Sequence, residues 1–191
     1  MLAVMRHVRG VLFVDYVRML RSSKAVDWGV YLPAEDLQYL GMKIEPDAWY
    51  PMATFERMGN EILRTVAQGQ LHVVQLFGRH SAGKLAVANP QLLAPGDPNE
   101  TLSRFHTLRQ SFFDFDALQV PVLRDEEAHI TIRYYMGMPA EEAASFQTMG
   151  FFEGLLALAG AVDITATFRE RSWVAGEHTG VELRWSRPHA N

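Results

Sequence analysis

The apolar residues of this chain keep helical spacing through its first half and turn to alternation only towards its end. From Gly10 to about Leu20, Phe13, Tyr16, Val17 and Leu20 fall on one face, predicting a first helix that ends at residues 21–23. Pro33 opens a short second helix, with Glu35 and Asp36 in its first turn and Gly41 as its stop. The segment EPDAWY (45–50) reads as a linker whose Trp49 and Tyr50 tuck against the core. Pro51 opens a third helix, with Phe55, Met58, Ile62 and Val66 inward and Gly69 at its left-handed end. LHVVQLF (71–77) fits either a buried strand or the start of a helix with Leu71, Val74 and Phe77 inward.

The second half is more regular. Asp97, Pro98 and Glu100 stand as cap, first-turn proline and capping-box residue of a helix over about 98–114, which buries Leu102, Phe105, Leu108 and Phe112. AHITIRYY (128–135) alternates, with Ile130, Ile132 and Tyr134 on one face and His129, Thr131 and Arg133 on the other. Pro139 starts a central helix that is broadly apolar through FQTMGFFEGLLALAG (146–160), the pattern of a helix lying in a core. Gly150 and Gly154 within it read as a place where a neighbouring element comes close, since glycine otherwise weakens a helix by roughly 1 kcal/mol. Two strands follow, DITATFRER (163–171) and TGVELRW (179–185), joined by a turn through Ala175 and Gly176. Helices first, then strand–helix–strand–strand, is an α+β order. A single domain over 1–191 is expected, with a helical part to about 118 and a helix-on-sheet part from about 119.

Composition narrows the function. A net charge of −4 and a pI near 6.0 argue against a nucleic-acid partner, and there is no block of like charge to bind a membrane surface. The chain has no cysteine, which excludes disulfides, thiolate metal sites and a cysteine nucleophile. Arg6, Arg9, Asp15 and Arg18 interrupt the apolar start, so no signal peptide or membrane insertion is expected, and a cytoplasmic protein is.

Motifs of catalysis are weak. Gly78 to Leu85 matches the phosphate loop G-x-x-x-x-G-K but places Leu85 where a magnesium-binding hydroxyl belongs, leaving a nucleotide site as a minor alternative. His72 and His80 are two helical turns apart, too far to share a metal unaided. Asp114 and Asp116 have no histidine or nucleophile nearby in sequence and read as a solvated helix end, and neither Ser81 nor Ser111 sits in a nucleophile elbow. A non-enzymatic role follows. His106 stands beside Phe105, Phe112 and Phe113; a histidine in such company suits either backbone hydrogen bonding or the axial ligation of heme.

Nearly the whole chain resembles the heme-nitric-oxide/oxygen-binding (H-NOX) domains. VRGVLFVDYVRML resembles their opening segment, RFHTLRQSFF the helix that bears their proximal histidine, and AHITIRYYMG the strand leading into their Y-x-S-x-R signature. MGFFEGLLALAG and the two strands after it resemble their closing helix and hairpin. The resemblance puts His106 at the heme-ligand position and Tyr135 at the signature tyrosine, but Gly137 and Pro139 stand where the serine and arginine that hold the heme propionates should be. Neither offers a charge or a donor to a carboxylate. The layout is also similar to an uncharacterised paralogous group known from myxobacteria and, more distantly, to vinyl-reductase-like (V4R) ligand-sensing domains. What this implies is a bacterial sensory or adaptor domain that binds a small apolar ligand or a protein partner, with self-association as a further route for its signal. Phe105, Phe113 and Met149 are its expected pocket residues; His106 and Tyr135 are its expected cofactor contacts, with heme as the open alternative.

Overall fold

Helix α1 (Gly10–Ser22) buries the stripe its spacing predicts: Phe13, Val17 and Leu20 are fully enclosed and Tyr16 nearly so. The structure, a computed structural model, describes residues 5–187; residues 1–4 and 188–191 of the expected domain lie outside the described residues. Helix α2 (Ala34–Gly41) follows, with Glu35 and Asp36 in its first turn as expected. The segment read as a linker is instead partly a strand. β2 (Trp49–Pro51) pairs antiparallel with β1 (His7–Arg9), Val8 facing Tyr50. Pairing sends alternate residues to opposite faces. Tyr50 therefore stacks on Phe13 with ring centroids 4.5 Å apart, whereas Trp49 stays 41 % exposed under the Arg9 guanidinium.

Helix α3 (Met52–Glu61) runs into a wider π turn at Ile62–Val66 and ends with Gly69 at φ 75°, the left-handed stop expected there. The ambiguous apolar run is helical throughout, inside α4 (Leu71–Ala88). Helix α5 (Pro98–Leu108) starts on the Asp97 cap, whose carboxylate accepts the Glu100 amide at 3.0 Å. It is shorter than its apolar stripe suggests. A 3-10 turn at Arg109–Ser111 ends it and leads Phe112 and Phe113 back into the core.

The sheet has four antiparallel strands in the order β3-β4-β6-β5: β3 (Leu118–Arg124), β4 (Glu127–Ile132), β5 (Val162–Glu170) and β6 (Thr179–Ser186). The last three are those the alternation predicts. β3 was not anticipated, because Pro121 inside it cannot donate to a ladder. It is accommodated at the sheet edge, where the register slips between Gln119 and Val122.

Helix α6 (Ala140–Leu158) is the centre of the molecule. One side meets the sheet, where Phe146 packs edge-on to Phe168 of β5 at 5.0 Å. The other crosses α4 at backbone contact. A Cβ at Gly150 would stand 1.9 Å from the Gln75 carbonyl oxygen, and one at Gly78 would stand 1.9 Å from that of Gln147. The two glycines answer each other across the crossing. Phe152, Leu155 and Leu156 are completely buried between these layers, which is why the helix is apolar nearly all round. One apolar cluster runs unbroken from Val8 to Trp185.

Candidate functional site

Between α1 and α3 on one side and α4, α5 and α6 on the other lies a cavity of about 80 Å³. α1 contributes Val11, Leu12 and Tyr16, α3 contributes Phe55, and α6 contributes Ala144, Gln147 and Phe151. Phe105 of α5, Phe113 and Tyr134 close it. Its tyrosine hydroxyls are already bonded within the protein. The Tyr16 hydroxyl bonds to the Gln147 side-chain oxygen, and the Tyr134 hydroxyl shares a 2.6 Å bond with Thr148 Oγ1. Asp15 at the rim accepts from Lys84 Nζ at 3.2 Å. Burial pushes both tyrosine phenols well above their ordinary value, so both stay neutral hydroxyls. The wall that results is mostly apolar, with Ser81 and Gln147 among its few polar residues.

Of the five residues singled out in the sequence, Phe105 and Phe113 line this cavity. Met149 is buried on the same helix as Gln147 but does not reach it. His106 turns aside from the lining; its Nδ1 is buried without a hydrogen-bond partner, and burial, helped by the Arg109 guanidinium, lowers its pKa below 6.5. Tyr135 is 60 % exposed with φ 56°, and its ring lies under the Arg6 guanidinium, whose centre is 5.2 Å from the ring centroid. The cavity tyrosines are thus Tyr134 and Tyr16, and only the strict alternation of 130, 132 and 134 hinted at the first. Gln147 and Thr148 gave no signal in the sequence, because a polar pair in an apolar helix reads as a solvent edge until its partners are known.

The loop after Tyr135 has its own arrangement. The Met136 amide donates to Glu141 at 2.8 Å and the Gly137 amide to Glu56 at 2.9 Å, while Arg6 donates to the carbonyls of Tyr134 and Tyr135. Side chains of the chain itself occupy this loop. The phosphate-loop match, Gly78 to Leu85, runs inside α4, where amides bond along the helix and cannot cradle a phosphate, and its Lys84 is engaged by Asp15. Asp114 and Asp116 do not act as a pair: Asp114 bonds His7 through both its amide and its ring, and Asp116 bonds Gln119.

Comparison with known proteins gives a fold. No family model matches the chain, and no curated protein matches it. Among solved structures the arrangement is that of the H-NOX domains, and the chain has an H-NOX-like α+β fold. It covers 93 % of its length and 99 % of the chain of an H-NOX protein from S. oneidensis in the Fe(II)NO ligation state, with a TM-score of 0.63 and 11 % identity. A mutant H-NOX of T. tengcongensis matches at a TM-score of 0.61 and 13 % identity, over 95 % of this chain and all of that one. An oxygen-binding H-NOX domain related to soluble guanylate cyclases matches at 0.61 and 14 %, over 96 % and 97 %.

A porphyrin does not fit the residues found here. Pockets for drug-sized ligands span about 300–1,000 Å³, against the cavity's 80 Å³. Phe105 fills the space with three further rings, its centroid 4.9 Å from Phe152, 5.6 Å from Phe151 and 6.0 Å from Phe112. The His106 imidazole does not line what remains.

Proposed function

We propose that this chain is a single, non-enzymatic sensory or adaptor domain whose core cavity takes a small apolar molecule without heme. The observation that carries this is the size and chemistry of the cavity: about 80 Å³, walled by Val11, Phe55, Phe105 and Phe113, with its tyrosine hydroxyls already bonded within the protein. Such a wall, apolar apart from a few side chains such as Ser81 and Gln147, favours an apolar guest of a few atoms. Helix α6 is the element placed to report occupancy. Its Gln147 and Thr148 hold the two cavity tyrosines, and its Phe146, one residue earlier, rests on β5. A shift of α6 would reach the sheet surface and, through it, a protein partner or a second copy. No helix among the described residues is long and apolar enough to cross a membrane.

The test is a thermal-shift series on the purified full chain with apolar ligands of rising size, run beside a hemin titration read in the visible. Stabilisation by the smallest members, fading as size grows, and no hemin-dependent Soret band is the expected result. A Soret band that is lost in His106→Ala would replace this reading with that of a heme sensor.

A further inference from the structure

The core cavity is not walled evenly. Phe105, Phe113 and Tyr134 in its lining are buried, whereas Val11 and Leu12 of α1 and Ser81 of α4 are half-buried. Gln147 and Phe151 of α6 are half-buried too, but they lie at the glycine crossing, where a Cβ on Gly78 would stand 1.9 Å from the Gln147 carbonyl oxygen and 2.9 Å from the Phe151 amide nitrogen. Helices that close cannot part there. The lining therefore reaches solvent most easily along the seam between α1 and α4.

Helical spacing sets a pair of charges beside this seam. Asp15 follows Leu12 by three residues and Val11 by four, and Lys84 follows Ser81 by three, so each stands one turn from a half-buried member of the lining. Lys84 Nζ donates across the seam to Asp15 Oδ1 at 3.2 Å, with the lysine side chain 39 % exposed and that of Asp15 10 %. Arg18 also pairs with Asp15, at 3.5 Å, but it belongs to α1 and ties nothing to α4. Among the described residues no other hydrogen bond or ion pair joins these two helices. The other polar ties of α1 lead elsewhere: the Gly10 and Val11 amides donate to the carbonyls of Ala48 and Pro46, and Tyr16 bonds Gln147 of α6.

We propose that the Lys84–Asp15 pair is a clasp over the entrance of the core cavity and sets how fast a small apolar guest passes between α1 and α4. This rests on the reading of the cavity as the guest site and adds the regulation of that site. A path through the buried rings would have to displace a close-packed core. The seam asks only that half-buried side chains move and that one partly exposed ion pair breaks, a contact of small strength. Lys84 takes no part in the lining, so its charge acts on the rate of entry more than on affinity. The clasp also gives the lysine of the phosphate-loop match a role that needs no phosphate.

The test reads the entrance without a guest. The chain has no cysteine, so Ala144→Cys puts a single thiol in the cavity wall, and Leu118→Cys, also in the lining, is a second site should the first fold poorly. Labelling of either thiol by methyl methanethiosulfonate is followed in the full chain. Lys84→Met keeps the side-chain stem and removes the charge, and it should speed labelling about two- to fivefold, the effect of losing a partly exposed ion pair. Lys84→Arg should stay near the parent rate. Added salt should speed labelling while Lys84 is present and leave the Lys84→Met rate unchanged. A thiol from Ala128→Cys, buried in β4 outside the lining, is reached only on unfolding and should label far more slowly in both backgrounds. Labelling in the cavity that ignores Lys84→Met, or that is no faster than at Ala128→Cys, overturns the proposal. The cavity reading fails separately: clasp-dependent labelling in a chain that binds no xenon would sink the guest and leave the clasp, and xenon binding with labelling indifferent to Lys84 would do the reverse.

Discussion

The hydroxyls of Tyr134 and Thr148 lie 2.6 Å apart, both in buried side chains, and this one bond ties the chain leaving β4 to the middle of α6. Replacing Tyr134 by Phe would keep the ring and leave the Thr148 hydroxyl without this partner. A buried group so stranded costs about 1–3 kcal/mol. Urea unfolding of Tyr134→Phe should therefore show a loss in that range with an unchanged m-value; a loss within error would mean that the bond does not hold the cavity wall.

The glycine crossing gives a paired test. Gly150→Ala would drive a methyl to 1.9 Å from the Gln75 carbonyl oxygen, where neither helix backbone can yield. It should cost about 3 kcal/mol or more. Gly83 on the same α4 has nothing within 4 Å of an added Cβ, so Gly83→Ala should stabilise by roughly 0.5–1 kcal/mol through helix propensity alone. Chemical denaturation of both variants checks the pair. Equal effects would contradict the close approach of α4 and α6.

Glu141 supplies a pH dependence of known sign. Burial raises its pKa above the ordinary 4.5, against the opposing bonds from the Met136 amide and Ser172 hydroxyl. The folded protein therefore prefers the protonated acid. That contribution is fully present below 4.5 and is lost as pH rises through the elevated value. Glu141→Gln lacks this loss, so the melting temperature of the variant should gain on the parent as pH rises from acid to neutral. A constant difference across that range would show that Glu141 titrates as it does in the unfolded chain.

How much of this was legible in the chain depends on what each element needs from its surroundings. α1, α5 and α6 are announced by local features: a stripe, a cap, a broad apolar run. α4 was ambiguous because a short apolar run looks alike in a strand and a buried helix, and what gives its Gly78 a purpose is Gly150, far away in sequence. β3 was hidden by Pro121, which is harmful in a central strand and harmless at an edge, and edge position is a property of the whole sheet. The cavity was half legible. Phe105 and Phe113 followed from the aromatic face of α5 and its continuation, but the adjacent pair Tyr134 and Tyr135 could not be ranked from family likeness. Alternation from Ile130 favoured Tyr134, and the left-handed φ of Tyr135, which turns its ring out to Arg6, became visible only in three dimensions.

The central claim is that a small apolar guest enters the cavity between α1 and α6, and heteronuclear NMR of the full chain under xenon pressure tests it most directly. The account predicts saturable shifts that cluster on Val11, Phe105, Phe113 and Tyr134, with residues of the exposed 135–138 loop unmoved. Shifts that never saturate, or that gather away from these four side chains, would contradict it.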